Sequence, residues 1–126
     1  MKSHKDLNVW NMSLDLATQV YKITDIYPKS EMYGITSQMR RATISISSNI
    51  AEGYSRGSEK EIVHFLYISL GSASELDTQV ILSKRLGFID EETFKDLSNN
   101  ITIVRKMLNS LIASVKKKVD DQTPNN

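Results

Sequence analysis

The chain has 126 residues, 16 basic and 15 acidic side chains for a formal net charge of +1, and no cysteine. That length is one domain's worth of chain, and 40% apolar with 25% charged residues argues for a packed core rather than wholesale disorder. The charge balance excludes a strongly basic nucleic-acid coat and an acidic tail, and the missing cysteines exclude disulfides, thiolate metal sites and cysteine nucleophiles.

No apolar run approaches the roughly 18–20 residues of a membrane span. The start, Met1-Lys2-Ser3-His4-Lys5-Asp6, leads into no signal-peptide core. A cytoplasmic protein with no membrane partner is expected. Pro28 and Pro124 are the only prolines, so the stretch between them is free of the strongest helix breaker.

The first predicted helix covers about 6–27. Trp10, Leu14, Ala17, Tyr21 and Thr24 recur at helical spacing, flanked by Leu16, Val20 and Ile23. Pro28 stops it. The second covers about 30–57 on the stripe Ile35, Met39, Ala42, Ile46, Ile50 and Gly53. Within it, Thr43-Ile44-Ser45-Ile46-Ser47 alternates like a strand, but no second strand-like run exists to pair with it. Helix is therefore predicted there, held by packing rather than by propensity.

The third helix, about 58–86, opens on the capping box Ser58-Glu59-Lys60-Glu61. Ile62, Phe65, Ser69, Ser72 or Ala73, Leu76, Val80 and Ser83 follow, and Gly87 suits a left-handed cap. The fourth, about 90–118, starts on Asp90 as N-cap. It carries the heptad seam Phe94, Leu97, Ile101, Val104, Leu108, Leu111 and Val115. Lys116, Lys117 and Lys118 occupy its last turn, where cations suit the helix dipole. Four such helices with short joints predict an all-α, antiparallel up-down-up-down four-helix bundle as a single domain over 1–119, with a flexible polar tail over 120–126.

Catalytic constellations are thin. A di-iron bundle needs two Glu-x-x-His motifs plus two further glutamates. This chain has one, Glu61 to His64, and its other histidine is His4, outside the predicted bundle. Glu52 and Glu75 could supply the two further glutamates, but the second histidine is missing. There is no Gly-x-Ser-x-Gly elbow, P-loop or dinucleotide fingerprint. The expectation is no enzyme, no metal and no cofactor.

The second helix carries a polar stripe, Arg41, Ser45, Ser48, Glu52 and Arg56, with Asn49 beside it. Glu52 and Arg56 form an i, i+4 pair. The stripe reads either as a solvated face or as a polar network at a subunit interface or groove. The third helix has a small-residue centre, Ser69, Gly71, Ser72, Ala73 and Ser74, continued by Glu75 and Gln79. It fits a tight spot inside the bundle or a close inter-subunit contact.

Several segments resemble the 23S ribosomal RNA intervening-sequence protein family. They are Asp6-Leu7-Asn8-Val9-Trp10, Tyr33-Gly34-Ile35-Thr36-Ser37-Gln38-Met39-Arg40-Arg41-Ala42, Ser48-Asn49-Ile50-Ala51-Glu52-Gly53 with Arg56, and the Phe65 to Leu76 run followed by Leu86-Gly87-Phe88-Ile89. The family often has proline where this chain has Ser47, and serine restores a helix donor there. The resemblance implies a bacterial four-helix bundle assembling as a ring-like homopentamer. The chain also looks like the accessory protein of diversity-generating retroelements, a basic pentameric barrel that binds nucleic acid and a reverse transcriptase. By that analogy the expected function is binding of structured RNA or DNA through phosphates. Arg40, Arg41, Arg56 and Lys60 would make the contacts, and Ser48, Asn49, Glu52 and Glu75 would form a structural or interface network. The alternative is a protein–protein interaction scaffold with an unidentified protein partner and no direct nucleic-acid role.

Overall fold

A computed structural model describes residues 3–122. Four long helices account for most of them: α1 (Asn8–Thr24), α2 (Ile35–Ser55), α3 (Glu59–Arg85) and α4 (Glu91–Gln122). Two 3-10 turns, His4–Asp6 and Lys29–Glu31, precede α1 and α2. No strand occurs among the described residues, and the strand-like run around Ser45 is helical. Ser47 sits inside α2 and sends its hydroxyl to the Ile44 carbonyl at 3.2 Å. The first two helices are shorter than their periodicity suggested. α1 ends at Thr24 because the chain tightens there, with Tyr27 N bonding Thr24 O just before Pro28. At the other end, Asp120 to Gln122, expected in the tail, continue α4. The rest of that expected tail, 123–126, lies outside the described residues.

The caps follow sequence chemistry. Ser58 accepts from the Glu61 amide at 3.2 Å, and Asp90 accepts from the Thr93 amide at 2.8 Å. Gly87, at φ +78°, closes α3: its amide meets Lys84 O and the Phe88 amide reaches Ser83 O at 2.9 Å. This is a Schellman ending, which needs the left-handed residue that glycine supplies. Phe88 then packs on Tyr27, ring centroids 5.2 Å apart, tying the α3–α4 joint to the α1–α2 joint.

Each helix packs on its neighbours in chain order, and α1 also packs on α4. α2 against α3 is the most extensive pairing and α1 against α4 the least. Cavities of about 280 and 200 Å³ lie along that loosest seam, beside Met107 and Asn100 respectively. The core is continuous through Leu16, Val20, Met39, Ile46, Ile50, Leu66, Leu76, Leu97, Ile101, Val104 and Leu108. All six positions of the predicted α2 stripe are buried.

The α1 stripe is rotated from the prediction. Val9, Ser13, Leu16, Val20 and Thr24 are buried, whereas Leu14 and Tyr21 are exposed. Ser13 goes inside because its hydroxyl donates to the Trp10 carbonyl at 2.6 Å, so burial leaves no unpaired donor. In α3, Leu66 and Ala73 are buried, while Phe65 and Ser72 are half-exposed.

Two stability tests arise here. Thr43 in α2 is fully buried, and its Oγ1 has no hydrogen-bond partner. Thr43→Val replaces that hydroxyl with a methyl of similar shape. It is expected to raise unfolding free energy by about 1 kcal/mol in urea denaturation.

The second test concerns acid. The bond to Thr93 holds the Asp90 carboxyl below the usual carboxylate range, and Lys84 does the same for Glu91 through the α3–α4 ion pair. Groups with depressed folded values stabilise the protein above their unfolded value and lose that contribution as pH falls through the folded one. The melting temperature is therefore expected to fall below about pH 4. Asp90→Ala should flatten that dependence in thermal melts across pH.

Candidate nucleic-acid interface

Adjacent arginines on α2 point to different environments. Arg40 is half-buried and spans the α1–α2 seam. Its Nε donates to Thr24 Oγ1 at 2.9 Å and Nη2 to the Tyr21 carbonyl at 3.4 Å, and the guanidinium lies 4.6 Å from the Tyr21 ring centroid. Asp25 stands 3.8 Å away. These partners occupy the planar fork that a phosphate would need. Arg40 is thus a clamp between helices, not a free cation. Arg41, one residue further round the helix, is exposed and makes no ion pair within 4 Å among the described residues.

Arg56 lies just past the end of α2. It bonds Glu52 Oε1 through Nε at 3.0 Å and Nη2 at 2.7 Å, and stacks 5.1 Å from the Phe65 centroid. Both partners of this pair remain about half-exposed, at 49% and 46%. Such a pair is held loosely in water, so an incoming phosphate could displace Glu52. Lys60 is exposed in the first turn of α3. Arg41, Arg56 and Lys60 therefore present cations to solvent, although Arg41 lies just over four helical turns before Arg56 along the α2 direction.

The polar stripe divides in two. Asn49 Nδ2 donates to the Ser45 carbonyl at 2.8 Å and to Ser45 Oγ at 2.9 Å, and Ser45 Oγ meets Ser72 Oγ at 2.8 Å. Ser69, fully buried, donates to the Ile46 carbonyl at 2.8 Å. The Ser45–Ser72 and Ser69–Ile46 bonds staple α2 to α3 within one chain, and Asn49 orients Ser45 from within α2. Ser69, Ser72 and Ala73 let the helices come close, and Gly53 completes the approach. A Cβ on Gly53 would stand 2.9 Å from Phe65 Cβ and 3.3 Å from Ile62 Cα. Ser48 and Glu52, by contrast, are exposed. Glu75 is exposed and accepts from Gln79 Nε2 at 3.2 Å. The exposed side of α2 and α3 also carries Ile44, Ile68 and Gly71, and a Cβ on Gly71 would have open space around it.

Other chemistry is sparse. His64 is exposed and packs edge-on to Phe65. No group of three or more His, Cys, Asp or Glu side chains among the described residues could hold a metal. No helix there is long and apolar enough to cross a membrane. Sequence reading missed Lys116, taken only as a dipole partner. The Tyr67 hydroxyl bonds it at 2.9 Å, which holds its pKa above the ordinary lysine value.

What these residues define is a small all-helical protein with one solvent-facing arginine on α2, a second at its C-cap, and a polar staple between α2 and α3. The profile of the 23S rRNA-intervening sequence protein family matches residues 5–110. The chain belongs to that family. A solved structure from Bacteroides thetaiotaomicron VPI-5482, a protein of unknown function from the S23 ribosomal protein family, is similar at a TM-score of 0.74 and 27% identity. The match covers 82% of this chain and 97% of that one. No curated protein matches the chain.

Proposed function

We propose that this protein is a non-enzymatic homopentamer of antiparallel up-down-up-down bundles that binds structured RNA or DNA through phosphates. The observation that carries the binding is the exposure of Arg41, Arg56 and Lys60 in a member of a family named for 23S rRNA intervening sequences. Arg40 drops out of the contact set because its fork is already engaged. A single chain carries a net charge of only +1. Assembly multiplies its exposed arginines around one ring, and that gives a local field the monomer lacks.

The antiparallel sense is supported by register: Ser45 bonds Ser72, while Met39, earlier in α2, meets Ser83, later in α3. A cyclic ring needs two different patches that meet. The exposed α2 face at Ile44, Ser48 and Glu52, and the α3 face at Ile68, Gly71 and Glu75, supply them. An exposed mid-helix glycine costs about 1 kcal/mol against alanine, and a close neighbouring helix gives that cost a purpose.

Light scattering after size exclusion tests the assembly. A Cβ on Gly71 would have open space around it, so Gly71→Leu is expected to fold normally yet fall apart into smaller species. An unchanged mass would remove α3 from the interface. For binding, the Arg41→Ala/Arg56→Ala protein is expected to lose about tenfold or more in affinity for structured RNA by fluorescence anisotropy. Unchanged affinity would overturn the phosphate assignment.

A further inference from the structure

Near the first turn of α3, a cavity of about 210 Å³ opens between α3 and α4. Its lining is Lys60 and Val63 from α3, with Lys116, Val119 and Asp120 from α4. The two lysines come from helices far apart in sequence, so folding alone brings them to one hollow. Neither makes an ion pair within 4 Å among the described residues. The Lys116 ammonium is positioned rather than loose: the Tyr67 hydroxyl holds it, and the ring centroid lies 5.2 Å away.

The valines give the hollow apolar walls. Both lysines are exposed, and an anion seated between them would be attracted by two positive charges at once. Asp120 is the one carboxylate in the lining. Two ammonium groups outweigh it and leave an excess for an anionic ligand. The volume falls below the roughly 300 Å³ at which pockets for drug-sized ligands begin. It therefore suits a single small group and part of its carrier, with the remainder outside.

We propose that the Lys60–Lys116 pocket binds the phosphate of a single nucleotide, with the sugar against Val63 and Val119. The inference takes its ligand class from the nucleic-acid reading above, and otherwise stands on the pocket itself. The nucleotide is either free or the 5′-terminal one of an RNA; the phosphate chemistry is the same.

The test is an amide NMR titration of the full chain with adenosine 5′-monophosphate, adenosine, and short RNAs with and without a 5′-phosphate. Adenosine monophosphate should shift the Val63 and Val119 amides, and adenosine should not. Lys60→Met and Lys116→Met should each weaken that binding about tenfold, whereas Lys117→Met should not. Displacement of the mononucleotide by 5′-phosphorylated RNA alone would assign the pocket to RNA ends, and no displacement would assign it to free nucleotide. Absence of shifts at millimolar nucleotide, or equal binding by the two methionine variants, would overturn the pocket. Anisotropy with long structured RNA separates the two claims. Binding that depends on Arg41 and Arg56 while the mononucleotide does not bind ends this inference only. A filled pocket with no long-RNA binding ends the nucleic-acid reading only.

Discussion

Gly53→Ala is expected to destabilise the protein by about 2 kcal/mol, the cost of overpacking a closed contact. The substitution is favourable for an isolated helix by about 1 kcal/mol, so helix propensity predicts the opposite sign. Packing decides because the new Cβ meets Phe65 Cβ at 2.9 Å, Ile62 Cα at 3.3 Å and the Ile62 carbonyl oxygen at 3.4 Å. Two of those atoms are backbone and cannot rotate aside. To relieve the contact, α2 and α3 must separate near the turn that joins them. That movement also strains the bonds from Ser69 to Ile46 O and from Ser45 to Ser72. Urea unfolding should show a lower midpoint with an unchanged slope. A midpoint equal to or above that of the parent would mean the helices separate at little cost.

The second large effect is a contrast between neighbours. Arg40→Ala is expected to lower stability by about 1–2 kcal/mol, because it strips partners from Thr24 Oγ1 and the Tyr21 carbonyl at a half-buried seam. Its RNA affinity should be unchanged. Arg41→Ala should do the reverse: stability within about 0.5 kcal/mol of the parent, as for ordinary surface sites, and weaker RNA binding. Thermal melts and anisotropy on the same two preparations check both halves. Equal effects of the two substitutions would remove the distinction between clamp and contact.

That pair marks the limit of what the sequence alone reveals. Both arginines lie beside the Met39–Ala42 stripe, and a step of one residue rotates a side chain by about 100°. Which of them reaches back to α1 depends on where Thr24 and Tyr21 sit, and that is tertiary information. Elements with dense periodicity were easier. The α4 seam at Leu97, Ile101, Val104 and Leu108 is wholly buried, as its heptad spacing predicts. At its end the burial drifts from Leu111 to Ile112, as a 3.6-residue helix drifts from a 3.5-residue repeat.

In α1 the buried face is set by small and aliphatic residues rather than by the aromatic ones. Tyr21 is exposed beneath the Arg40 guanidinium, while the small hydroxyl of Ser13 is satisfied locally and goes inside. Local chemistry made the Ser58 and Asp90 caps and the Gly87 ending legible, since each rests on residues within one turn. The Lys60–Lys116 hollow was invisible for the opposite reason. No local pattern links two lysines on different helices.

The most direct measurement is the salt dependence of affinity for a structured bacterial RNA, followed by fluorescence anisotropy. A phosphate-contacting ring predicts tight binding at low salt and a linear fall in log affinity with log salt, with a slope near −0.9 for each phosphate neutralised on a duplex. Arg41→Ala/Arg56→Ala should reduce the size of that slope by about 2 for every protomer in contact. No binding at low salt, or a slope that the double substitution leaves intact, would contradict the account.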